Sequence, residues 1–121
     1  MTRHIEIFRE FTFESAHRLP NVPEGHKCAR LHGHSYRLTV TVAGAIDPEL
    51  GWVMDFGDLK EVVQPLVATL DHHTLNEIQG LQNPTSENLA AWIWDRLAPE
   101  VEGLRSVSIR ETSNSGCNYY G

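Results

Sequence analysis

The 121-residue sequence predicts an α+β domain in which two helices cover one face of an antiparallel, four-stranded sheet. Three observations predict it. Apolar residues alternate with polar ones in two early segments, the mark of half-buried strands. Two later segments carry apolar residues at helical spacing, each after a capping residue. The order along the chain is strands, helix, helix, strand.

The first strand spans Ile5 to His17, with Ile5, Ile7, Phe11, Phe13 and His17 on one face and Glu6, Glu10, Thr12 and Glu14 on the other. Residues 18–31 hold two prolines, a glycine and several charges, which predicts a long loop. The second strand runs from His32 to Ala43, with Tyr36, Leu38, Val40 and Val42 facing one way. Asp47-Pro48 sits in a turn over 44–51, and Gly51 to Met54 is a candidate short strand. Asp55 caps a helix whose stripe is Phe56, Leu59, Val62, Val63, Leu66, Val67 and Leu70. Pro65 falls inside that stripe and is expected to kink or split the helix. Thr85 caps the second helix, Glu87 suits its positive first turn, and Leu89, Trp92, Ile93 and Leu97 form its buried stripe. A last strand over Leu104 to Thr112 puts Val107, Ile109 and Glu111 on one face. The rest is a Gly/Asn-rich tail. No repeat or linker interrupts the chain, so one domain over 1–121 is expected.

Composition narrows the function. Hydrophobic residues are 40% and charged residues 21%, which suits a folded core. A chain this short buries only about two-thirds of its unfolded surface, so self-association would help it. The net charge of −6 argues against nucleic acid, whose phosphates need a basic face. No apolar run reaches the roughly 18 residues of a membrane span. Charges among residues 1–15 argue against a signal peptide. Two cysteines, Cys28 and Cys117, make no disulfide framework, so a cytoplasmic, reducing setting is expected.

The anomaly is seven histidines, five of them in two clusters. On a strand, His32 and His34 point to the same face as Tyr36, and Gly33 leaves room between them. His17 ends the apolar face of the first strand. If the strands pair, three imidazoles converge. Three protein nitrogens with an open fourth position suit a catalytic zinc, whereas hydrogen-bonded core histidines would explain the same residues without one. Asp71-His72-His73 ends the first helix; there an Asp orients an imidazole, or histidine simply suits the negative helix end. Cys28 has Lys27 and Arg30 nearby, a setting that favours thiolate, while Cys117 reads as structural. Glu111 aims a carboxylate inward, either toward paired donors of a planar ligand or out to solvent at the strand end.

Five stretches taken together resemble the 6-pyruvoyl-tetrahydropterin synthase family. They are Glu14-Ser15-Ala16-His17, Cys28 through Tyr36 (CARLHGHSY), Leu70 through Asn76 (LDHHTLN), Asn83 through Ala90 (NPTSENLA), and Ile109-Arg110-Glu111-Thr112. They keep their order from about residue 7 to 120. Each alone is weak; the ordered set is specific. The spacing Cys-x3-His-Gly-His resembles the bacterial carboxy-forming branch, where animal pyruvoyl-forming enzymes have a longer gap. Folate-pathway variants carry glutamate where this chain has Cys28.

The resemblance implies a tunnelling fold, with sheets joined edge to edge into a barrel, commonly a hexamer of two trimers with active sites at subunit interfaces. It implies zinc on His17, His32 and His34, Cys28 as catalytic thiol, Asp71 and His72 as its proton-relay partners, and Glu111 as anchor of a pterin ring. The implied reaction turns 7,8-dihydroneopterin triphosphate into a 6-carboxy-tetrahydropterin of queuosine biosynthesis, with loss of acetaldehyde and triphosphate. Lys27, Arg18 and Arg30 are candidate triphosphate partners. A pyruvoyl-forming enzyme is the alternative within the family. Outside it stands a zinc-stabilised interaction module, with Cys28 as fourth ligand. His4, His26 and His73 receive no role.

Overall fold

The computed structural model describes residues 2–121. Its elements are β1 (His4–His17), β2 (His32–Ala45), α1 (Phe56–Leu70), β3 (His73–Thr74), α2 (Ser86–Leu97), β4 (Leu104–Thr112) and β5 (Ser115–Tyr119). The sheet order is β3-β1-β2-β4-β5. All pairings are antiparallel except β1 with β3, which is parallel and two residues long. The sheet therefore has five strands rather than four.

Both helices lie on one face, as the patterning predicts. Phe11, Phe13, Tyr36, Leu38, Val40 and Val42 meet Leu59, Val63 and Val67 of α1 and Leu89, Ile93 and Leu97 of α2 in one buried cluster. Burial of this apolar area is the main stabilising term. Asp55 accepts from the Gly57 N–H at 2.7 Å, and Thr85 accepts from the Asn88 N–H at 3.1 Å, so both expected caps form. No helix among the described residues is long and apolar enough to cross a membrane.

Pro65 does not split α1, which runs unbroken from Phe56 to Leu70. Proline costs the Glu61 carbonyl its helical donor, but both residues lie on the exposed face, where water can replace it. Gly51 to Met54 is not a strand. Asp47 gathers that segment into a closed loop instead: its carboxylate accepts from the N–H groups of Glu49 and Leu50, and its carbonyl from Gly51.

The Gly/Asn-rich tail is β5. Gly116 permits it, because a Cβ there would lie 2.2 Å from the Ile109 carbonyl oxygen. Cys117 and Tyr119 face inward opposite Ile109 and Val107, and Ser108 Oγ donates to Asn118 across the ladder at 2.6 Å. Burial raises the Cys117 thiol above its ordinary pKa, with Glu87 adding to the effect, so it stays a protonated packing group.

Candidate metal centre and catalytic cavity

The register of β1 and β2 sets His17 directly opposite His32, and Ser15 opposite His34. All three imidazoles thus meet at one end of the ladder. Ring centroids are 4.6 Å apart for His17 and His32, 5.0 Å for His17 and His34, and 4.9 Å for His32 and His34. One nitrogen from each ring lies within 4.8 Å of the others.

The surrounding hydrogen bonds select which nitrogens are free. His17 Nδ1–H donates to the Pro84 carbonyl at 2.7 Å, and His32 Nδ1–H donates to the Arg30 carbonyl at 2.8 Å. A carbonyl only accepts, so both protons sit on Nδ1 and both Nε2 lone pairs remain available. His17 is 1% exposed. Burial holds its pKa below the ordinary value despite opposing pulls from Pro84 and Glu111, which keeps the ring neutral, the form a metal requires. Tyr36 Oη lies 3.2 Å from His17 Nδ1 and braces the ring edge-on. Desolvation keeps that phenol protonated. The donor set therefore fits a borderline metal such as zinc, with three nitrogens and an open side.

That open side is a cavity of about 630 Å³ bordered by the three histidines, Cys28 and Glu111. Glu111 continues the inward face of β4, and its Oε1 stands 3.8 Å from His17 Nε2. Lys27 and Arg30 also border the cavity; Arg18 does not. The backbone of Arg18 is instead gripped by Asn76, which accepts from its N–H at 2.9 Å and donates to its carbonyl at 2.8 Å. The sequence reading missed Asn76, because a three-residue turn shows no periodicity. It also missed Pro84, which acts through a backbone carbonyl.

Asp71 and His72 form a pair elsewhere. Asp71 ends α1, and its two carboxylate oxygens accept from the Glu14 N–H at 2.8 Å and from His72 Nδ1 at 2.9 Å. His72 has φ 58°, a left-handed turn that folds its ring back on Asp71. His72 borders a second cavity, of about 450 Å³, that shares His34 with the first. Within one chain, Cys28 and His72 therefore border different cavities.

The Glu14 N–H, and then the His72 ring, hold the Asp71 carboxyl below the usual range. A lowered folded-state value makes its contribution complete above the unfolded value near 4 and lost as pH falls through the folded one. Acid titration of the unfolding midpoint should show wild type losing more than Asp71→Asn below about pH 4. Parallel curves would contradict this.

A family model described as 6-pyruvoyl tetrahydropterin synthase matches residues 6–121. The chain belongs to that family. A 6-pyruvoyl tetrahydropterin synthase of Caenorhabditis elegans superposes with a TM-score of 0.91 at 28% identity, over 98% of this chain and 96% of that one. This 6-pyruvoyl tetrahydropterin synthase family enzyme is 49% identical over 120 residues to the 6-carboxy-5,6,7,8-tetrahydropterin synthase of Synechocystis, covering 94% of this chain and 92% of its relative. It is also 36% identical to the 6-pyruvoyl tetrahydrobiopterin synthase of Dictyostelium discoideum, covering 100% of this chain and 99% of the relative.

Proposed function

We propose that the chain is a zinc-dependent lyase converting 7,8-dihydroneopterin triphosphate to 6-carboxy-5,6,7,8-tetrahydropterin, with release of acetaldehyde and triphosphate. It would do so in the cytoplasm, as one domain over 1–121, in 7-deazaguanine (queuosine) biosynthesis. The observation that carries this is a single cavity shared by three histidines, a thiol and an inward carboxylate. The 49% identity to a carboxy-forming relative, against 36% to a pyruvoyl-forming one, supports the choice of product.

His17, His32 and His34 hold the metal through one ring nitrogen each, and zinc supplies Lewis acidity toward the side-chain oxygens of the substrate. Glu111 accepts from neighbouring N–H groups of the pterin ring and so sets the side chain toward the histidines, an orientation effect. Cys28, as thiolate, takes and returns protons on the side-chain carbons. His72 serves as its relay partner, with Asp71 holding the ring and stabilising its charged form. Because His72 borders a different cavity from Cys28 in the same chain, the Asp71–His72 pair comes from a neighbouring copy in this reading. A hexamer of two trimers with interfacial active sites provides that neighbour. The long stretch of β1 beyond its two-residue pairing with β3 supports edge-to-edge joining. Lys27 and Arg30 meet the triphosphate.

In the net reaction the bond between the first and second side-chain carbons breaks. The outer two carbons leave as acetaldehyde, the bond from the terminal carbon to its oxygen breaks so that triphosphate departs with that oxygen, and one water supplies the second oxygen of the new carboxylate. Incubation of the zinc-loaded protein with dihydroneopterin triphosphate should therefore yield acetaldehyde in step with triphosphate. Loss of triphosphate with all three side-chain carbons retained would establish the pyruvoyl-forming alternative instead.

A further inference from the structure

The loop over 18–31 joins two metal-ligand candidates, His17 and His32, and carries Cys28 in a three-residue 3₁₀ turn, Lys27–Ala29. None of those three residues is buried, so packing alone does not fix the turn. Its hydrogen bonds do. The Cys28 carbonyl accepts from the Leu19 N–H at 2.8 Å, and the Cys28 N–H donates to His26 Nδ1 at 3.0 Å. The Cys28 peptide is thus clamped on both sides. The Leu19 clamp is itself anchored, because Arg18 beside it is gripped by Asn76. The His26 clamp depends on one side chain.

We propose that His26 is a positioning residue that sets the Cys28 thiol in the catalytic cavity by accepting the Cys28 amide proton. A backbone amide only donates, so Nδ1 must offer its lone pair and the ring proton must sit on Nε2. The imidazole stands where a Ser, Asp or Asn oxygen usually caps a turn. Losing it frees the Cys28 amide and leaves the turn to its backbone bonds, Ala29 N–H to the His26 carbonyl at 3.0 Å and Arg30 N–H to the Lys27 carbonyl at 3.3 Å, so the thiol shifts, and small misplacements of a reacting group are costly in rate.

This rests on the thiol role given to Cys28, and the test separates the two ideas. His26→Ala and His26→Asn are made in a Cys117→Ser background, so that Cys28 is the sole thiol. Asn offers a side-chain oxygen that reaches the amide two residues on. In His26→Ala, kcat should fall roughly tenfold, with KM within about twofold and zinc content unchanged. The second-order rate of Cys28 alkylation by iodoacetamide should change several-fold. His26→Asn should restore both. Wild-type kcat and alkylation in His26→Ala would overturn the inference, as would losses that Asn does not reverse or that follow lost zinc. Alkylation reports where the thiol sits whether or not catalysis uses it. Turnover retained by Cys28→Ala in the same background would instead reject the thiol role itself.

Discussion

Cys28→Ala should bind zinc at wild-type stoichiometry, melt at the wild-type temperature, and lose turnover by about a hundredfold to ten-thousandfold, the range a positioned proton-transfer group supplies. The geometry explains why the three readouts separate. Cys28 is half-buried on a loop outside the main apolar cluster, so removing its sulfur leaves no core cavity. It lines the cavity that the histidines border but is not part of the three-residue cluster itself. His17 and His32 are held by the Pro84 and Arg30 carbonyls, whereas the hydrogen bonds of Cys28 go to His26 and Leu19. Substantial turnover by the alanine variant would sink the proton-transfer assignment. Lost zinc would point to the cysteine as a fourth ligand and favour the structural module.

His32→Ala should lose bound metal and all measurable turnover, yet remain folded. Removing one of three nitrogens leaves two, too few for a stable zinc site in an otherwise open position. The same logic predicts that chelation of the wild-type protein gives an inactive but cooperatively folding chain. Its main core of apolar side chains from both helices and three strands is built without the metal. A structural zinc domain behaves in the opposite way, unfolding when the metal leaves. Unchanged zinc by elemental analysis in His32→Ala would reject the ligand set. Loss of the folding transition on chelation would reject a catalytic role for the metal.

Much of this site is legible because strands have an exact side-chain period. His32 and His34 share a face with Tyr36 from their numbers alone, and Glu111 follows Val107 and Ile109 inward for the same reason. Asp55 and Thr85 are legible as caps because short polar side chains there bond amides two or three residues on. The partners of these groups are another matter. Pro84 acts on His17 through a carbonyl that any residue would possess. Asn76 reaches Arg18 across 58 positions of sequence. The sequence reading left His26 without a role, because its bond to Cys28 exists only when the loop adopts one turn.

The strands show the same division. β1 and β2 alternate over many residues and are visible; β3 has two residues, too few for any period, and exists because Ser15 and Ala16 offer it an edge. β5 contains a glycine and an asparagine that read as turn formers, yet Gly116 is there to let the strand approach Ile109. Gly51 to Met54 reads as a strand by composition, but no neighbour completes its ladder, and Asp47 draws it into a loop.

The sequence by itself determined the order of the long strands and helices, the faces that β1, β2 and β4 bury, and the two helix starts, because all of these are local or periodic. Only the tertiary structure decided the register that sets His17 against His32, the tautomers of those two rings, and the placing of Cys28 and His72 at different cavities within one chain. Those depend on which backbone groups meet across long stretches of chain, and no local pattern records that meeting.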